Sequence, residues 1–393
     1  MVENQPGSRD VEPRGVLGEA RLKAFSSEVV DRLRASGNAW KLPGGELLLP
    51  RVFGFCGGVR RALAMLQEAV SSHGRTGKRL FLLGEVIHNP WVNEYFRRRG
   101  VRILTPQERE KLEEFVGPED CAIVPAFGVP LPIEHRLRRI GCQTVDSSCV
   151  DVRRLWAWAE QSAREGFGVM IYGRAGHDET VVTKSRLAEV GGKYVVAGDP
   201  QGVRRFCDMI TGQTAATEFP SLFDAQATNA DGMAPFLRLA QVSQTTMLYE
   251  ETIKVRDLLR DAFERRFGRE GLHGRLLFQP SVCLATQDRQ TAAVELCRSG
   301  LDLAIVVGGF GSSNTRHLHK LASSYAQAHL VEDADAIRSA EELEAFDAEG
   351  HRPTVVRDWL PKRRPLRIGV LAGASSPEIV VGEVLEKLAG FLT

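Results

Sequence analysis

The chain has 393 residues, of which 43% are hydrophobic and 26% charged, and a formal net charge of +1. These values suit a globular protein of two or three units with a sizeable core, and they give no reason to expect a nucleic-acid or acidic-membrane partner. No apolar run approaches the ~18 residues of a membrane-spanning helix. The opening MVENQPGSRDVEPRG carries acids and no apolar stretch, so neither a secretory signal nor a transit peptide is expected, and the protein reads as cytoplasmic.

Residues 1–18 are polar with Pro and Gly and are expected to be disordered, whereas 19–36 has the spacing of an amphipathic helix. From about residue 46, short apolar segments alternate with helical ones. Strands are predicted at 79–83, 121–125, 168–173, 193–197, 237–242, 303–308 and 367–372. Helices are predicted at 58–71, 152–165, 250–267, 287–299 and 315–327. The alternation predicts an α/β fold with parallel sheets. Residues 209–235 show no periodicity and are expected to form a surface insertion.

The seven cysteines are an odd number, widely spread, with no Cys-x-x-Cys pair. That argues against a disulfide framework, a zinc ribbon or a bacterial-ferredoxin motif. Three of them share one context. Cys56 sits in FGFCGGVRRALAM, Cys149 in TVDSSCVDVRRLWAW and Cys283 in LFQPSVCLATQDRQTAAV. Each time a strand-like segment ends, a cysteine follows, and a helix begins. A helix N-terminus offers free N–H groups and partial positive charge, which lower a thiol pKa. The recurrence implies three similar α/β units, each presenting one cysteine to a common centre. The expected division is an N-terminal extension over 1–45, then lobes over 46–148, 149–280 and 281–393. Cys121, Cys142, Cys207 and Cys297 lack this context and read as structural thiols.

A second set of residues clusters after other strands: His88 in GEVIHN, His177 and Glu179 in GHDET, Thr245 in SQTT, Ser312, Ser313 and Asn314 in GGFGSSN, and Ser375 in GASSP. Ligands of open parallel sheets bind beyond the carboxyl ends of the strands. Glycine, hydroxyl and imidazole groups there offer donors to a phosphate or diphosphate, although each is also a common helix cap. Glu179 is a candidate proton donor if a partly apolar pocket raises its pKa; the alternative is a solvated first-turn acid.

Taken together and in order, GFCGGVRRA, GEVIHNPWVN, PAFGV, VDSSC, GHDET, SQTTM, CLATQDRQ, VVGGFGSSNTRHL, DWLP and GVLAGASSPEIV resemble the 4-hydroxy-3-methylbut-2-enyl diphosphate reductase family, in particular its plant and cyanobacterial branch. The resemblance runs from about residue 19 to 390. It implies a trefoil-like fold of three pseudo-equivalent α/β lobes around a [4Fe–4S] cluster held by Cys56, Cys149 and Cys283. It implies diphosphate and hydroxyl contacts from His88, His177, Thr245, Ser312, Ser313, Asn314 and Ser375, with Glu179 in the proton relay. The implied reaction is reductive loss of the substrate hydroxyl as water. The products are isopentenyl and dimethylallyl diphosphate, in the last step of the methylerythritol phosphate route to isoprenoids. The chain departs from the family pattern at Gly57, Val150, Asp151 and Gly311, and carries Phe127 where many bacterial members have histidine.

No flavin or nicotinamide fingerprint is present, so electrons must come from outside, from a ferredoxin or a flavodoxin. Two other readings stay open at this point. One is a paralogue of the same fold acting on another hydroxylated phosphate. The other is a non-redox [4Fe–4S] hydro-lyase, which needs no external electrons.

Overall fold

The computed structural model describes residues 22–393 except 74–76, 348–349 and 351. The expected disordered segment 1–18 lies outside the described residues. Of the helix expected over 19–36, residues 19–21 also lie outside the described residues, and the remainder is split into a 3-10 turn at Lys23–Phe25 and a helix at Glu28–Ala35. The break comes at Ser27, whose hydroxyl caps the second helix by accepting from the Val30 N–H.

Three sheets make up the fold, and they share one strand order. The first holds β3 (Leu80–Leu82), β4 (Val101–Ile103), β5 (Cys121–Val124) and β6 (Gln143–Asp146), arranged β4-β3-β5-β6 and all parallel. The second holds β7 (Gly168–Tyr172), β8 (Tyr194–Ala197), β9 (Leu239–Ser243) and β10 (Leu276–Phe278), arranged β8-β7-β9-β10 and again parallel. Both run second, first, third, fourth. The remaining sheet repeats that order with β11 (Leu303–Val307), β12 (Gln327–Val331) and β15 (Leu366–Ala372). Its fourth strand, β2 (Gly45–Leu48), comes from the N-terminal side of the chain. There β1 (Ala39–Leu42) adds an antiparallel edge to β2. A separate hairpin pairs β13 (Glu342–Asp347) with β14 (Arg352–Arg357). The strand that opens the expected first lobe at residue 46 is thus built into the last sheet.

The central strands form because they are apolar on both faces, as strands covered by helices on both sides must be. Every residue of β5, β7 and β11 is buried. All seven predicted strands and all five predicted helices are present. The unpredicted strands are short or polar, such as β6, whose QTVD sequence is largely exposed. The helix predicted over 315–327 ends at Ala322, and its last residue opens β12. The stretch 209–235 differs from its expectation as a surface insertion. Phe219, Phe223 and Met233 are buried in the core over β7–β9, where aromatic packing substitutes for regular periodicity. No helix among the described residues is long and apolar enough to cross a membrane.

Candidate active site

The shared strand order fixes where a site can form. In an order of second, first, third, fourth, the first and third strands are neighbours, and their connections leave in opposite directions. That switch point opens a crevice at the carboxyl end of the sheet. Here all three crevices open into one cavity of about 740 Å³, part of it open to solvent. His88, His177 with Glu179, and Ser312-Ser313-Asn314 enter it after the first strands β3, β7 and β11. Phe127, Thr245 and Ser375 enter after the third strands β5, β9 and β15. Cys149, Cys283 and Cys56 follow the fourth strands β6, β10 and β2. All eleven candidate residues named from the sequence line this cavity.

Each cysteine stands at a helix start. Cys149 and Cys283 are the N-caps of Val150–Arg164 and Leu284–Arg298, and Cys56 immediately precedes Gly57–His73. The Val59 N–H points at Cys56 Sγ (3.4 Å) and the Thr286 N–H at Cys283 Sγ (3.4 Å). Gly58 is required where two of these starts meet, because a Cβ there would lie 2.8 Å from Cys149 Sγ and 3.8 Å from Cys56 Sγ. The expected lowering of the thiol pKa is not found at Cys149 or Cys283. Burial pushes the Cys149 thiol up and that of Cys283 up to about 12, outweighing the helix N–H groups. Such thiols need a stronger electrophile to become thiolates, and a bound metal centre is one.

The donor set fits an iron–sulfur cluster. Three thiols from three helix starts face one cavity, and a buried arginine, Arg289, binds the carbonyls of Gly54 and Ala285, two residues from Cys56 and Cys283. Among the described residues no three metal-ligating side chains converge on a single-ion site. A cubane cluster takes one thiolate per iron, so its ligands need not converge on a point.

Opposite the cysteines lies the acid. Glu179 occupies the first turn of the helix Asp178–Glu189 and is 3% exposed. Both carboxyl oxygens meet Thr245, at its backbone N–H (2.6 Å) and its Oγ1 (2.7 Å). Burial raises its pKa to about 7 despite those two bonds. The alternative of a solvated first-turn acid is therefore excluded. His177 caps the same helix, its Nδ1 accepting from the Glu179 N–H at 3.2 Å. Burial, then the neighbouring His88, lowers its pKa to about 3. The ring is neutral with Nδ1 as acceptor, so its proton sits on Nε2.

The remaining groups form a cradle with unpaired polar atoms. Both amide atoms of Asn314 are buried without a hydrogen-bond partner, as is Nε2 of His88. His88 Nδ1 lies 3.0 Å from Glu85 Oε2, and the ring stacks on Phe127 with centroids 4.7 Å apart. Ser312 caps the helix Ser313–Ala322 by accepting from the Thr315 N–H, and it receives the Ser375 hydroxyl at 3.2 Å. Buried polar atoms left unpaired are costly unless a ligand meets them.

Sequence reasoning missed Arg289 and Gln290. Gln290 donates to the Met247 carbonyl and accepts from the Tyr249 N–H, fixing the chain just after Thr245. The signal was present in CLATQDRQ, whose helix turns Thr286, Arg289 and Gln290 inward.

The comparisons agree with this geometry. The family model described as LytB protein matches residues 47–389. The chain is 33% identical over 366 residues to the 4-hydroxy-3-methylbut-2-enyl diphosphate reductase of Thermosynechococcus vestitus, covering 93% of this chain and 89% of that one. It is 33% identical over 376 residues to the enzyme of the same name from Gloeobacter violaceus, covering 93% and 88%. The fold resembles the solved structure of the E-1-hydroxy-2-methyl-but-2-enyl-4-diphosphate reductase from Plasmodium falciparum. That likeness has 20% identity and a TM-score of 0.63, over 86% of each chain. With one model spanning nearly all of the three-sheet body, and relatives aligned over most of their own length, this chain belongs to the LytB protein family.

Proposed function

We propose that this chain is a 4-hydroxy-3-methylbut-2-enyl diphosphate reductase, with a [4Fe–4S] cluster on Cys56, Cys149 and Cys283 and electrons from a ferredoxin or flavodoxin. The substrate gains two electrons and two protons, loses its hydroxyl as water, and leaves as isopentenyl or dimethylallyl diphosphate. The observation that carries this reading is the convergence in one cavity of three cysteines, a buried acid with a pKa raised to about 7 and a cradle of unpaired polar atoms.

When bound, the cluster supplies electrons and, at its iron without a protein ligand, a Lewis acid for the hydroxyl oxygen. The protein does the rest. Asn314, Ser313 and the histidine Nε2 atoms lie where a diphosphate can satisfy them. The Thr245 hydroxyl donates to Glu179 Oε2 in this structure; when the carboxyl, with its pKa raised to about 7, is protonated, that bond can reverse, so that Thr245 Oγ1 takes the proton and passes its own to the leaving hydroxyl. The enclosing loops keep bulk water away from that carboxyl.

The test is anaerobic reconstitution followed by turnover with reduced viologen and the hydroxybutenyl diphosphate. Dye oxidation matched by both alkenyl products supports the reading. Stoichiometric zinc without sulfide, or no substrate-dependent dye oxidation, overturns it.

A further inference from the structure

Arg289 is 5% exposed and lies on the helix that begins at Cys283. Its guanidinium makes three hydrogen bonds, all to backbone carbonyls. Nε (3.0 Å) and Nη2 (2.7 Å) both donate to Gly54 O, two residues before Cys56. Nη1 donates to Ala285 O (2.7 Å), two residues after Cys283. One side chain therefore ties together the segments that carry two of the three cysteines, across 235 residues of chain. The Gly54 carbonyl is turned toward it by a left-handed backbone (φ +69°), a conformation glycine adopts without strain.

Arg289 forms no salt bridge to a carboxylate among the described residues. A guanidinium stays charged even when buried, and a buried charge is stable only beside a compensating one. The carbonyls that Arg289 binds lie two residues from Cys56 and two residues from Cys283. Asp288, next to it in sequence, makes no salt bridge to it, and an anionic cluster held on Cys56 and Cys283 would place negative charge near this guanidinium.

We propose that Arg289 is the counter-charge of the cluster as well as the clamp between its two loops, and that its positive charge raises the cluster's reduction potential. It is a positioning residue and touches neither substrate nor the reacting atoms. The inference rests on the proposed cluster and extends it to the surrounding protein. A cubane on three thiolates is anionic, and reduction adds one more electron to it. A fixed cation in a low-dielectric surrounding favours the reduced form, so removing it must make reduction harder.

The experiment is an anaerobic titration of the reconstituted full chain with dithionite, monitored by electron paramagnetic resonance. Wild type is compared with Arg289→Lys and Arg289→Gln. The Gln variant should shift the one-electron reduction equilibrium toward the oxidised form by at least tenfold, which is 59 mV. The Lys variant keeps the charge without the fork and should stay near the wild-type potential while losing cluster faster in air. An unchanged potential in the Gln variant overturns the inference, as does an equal fall in both. Should the Gln variant hold no cluster, Arg289→Ala is reconstituted with added guanidinium or with urea, its neutral counterpart. Recovery of the cluster with guanidinium alone supports the counter-charge; equal recovery, or none, overturns it. A wild-type protein that binds no cluster refutes the cluster assignment itself, a result distinct from each of these.

Discussion

Thr245 meets both oxygens of the Glu179 carboxyl, with its backbone N–H 2.6 Å from Oε1 and its hydroxyl 2.7 Å from Oε2. The backbone bond fixes the orientation of the carboxyl, and the hydroxyl links its other oxygen to a second group that lines the cavity. Removing the carboxyl proton while keeping the shape should therefore affect turnover more than binding. Glu179→Gln is expected to lower kcat by roughly 10²–10⁴, the usual contribution of a general acid. Iron content and KM should change little, and steady-state kinetics on iron-matched samples measure both. Turnover at the wild-type rate would show that the proton comes from elsewhere.

The pH dependence follows from the same carboxyl. Burial raises its pKa from 4.5 to about 7, and the acid form is the one that donates. The rate should be level below pH 7 and fall as pH rises through it, and Glu179→Gln should lack this limb. His177, lowered to about 3, stays neutral across the range and adds no second limb. Stability carries the same sign: the folded state holds the Glu179 proton more tightly than the unfolded chain. Its contribution is greatest below the unfolded value of 4.5 and is lost as pH rises through 7. Denaturant midpoints between pH 5 and 8 for wild type and Glu179→Gln check this.

The cysteines divide into two groups. Cys56→Ser, Cys149→Ser and Cys283→Ser should each lose the cluster, read as iron and sulfide per chain after reconstitution. Cys121, Cys207 and Cys297 are buried in apolar cores, and Cys142 packs against the first sheet, so serine at these four should leave the metal content intact. Loss of the cluster in a Cys142 variant together with its survival in Cys149→Ser would reverse the assignment.

Asn314 and His88 carry the unpaired atoms of the cradle. Alanine at either should raise KM and lower kcat/KM by about ten- to a hundredfold, since a hydrogen bond to a charged group is worth about 1.5–3 kcal/mol. Kinetics unaltered in both variants would remove the diphosphate from this part of the cavity.

The sequence made the central strands plain because burial on both faces leaves an unbroken apolar run, as in the LAIVV of β11. It hid β4, β6 and β10, which are three or four residues long and at or near a sheet edge, where no such run is needed. The site was legible because one context, strand end then cysteine then helix, occurs three times. What it could not show was the balance of energies at each position. Helix N–H groups argue for acidic thiols, and only the enclosed structure reveals that burial wins at Cys149 and Cys283. Arg289 was passed over because arginine is ordinarily a surface residue; its burial depends on a carbonyl far away in the chain.

The fourth strand of the last sheet is borrowed from the start of the chain. Glu46 on β2 and Arg367 on β15 are ion-paired at 2.7 Å although 321 residues separate them. On the ribosome, the segment ending in Cys56 must wait for a partner strand made 321 residues later. Ser375, the final contributor to the cavity, follows that same late strand. The first two sheets can assemble from contiguous sequence, but the cavity cannot close until β15 has been made. Closure of the cavity therefore depends on β15, and a nonsense or frameshift lesion anywhere before it leaves β2, which leads to Cys56, without its parallel partner.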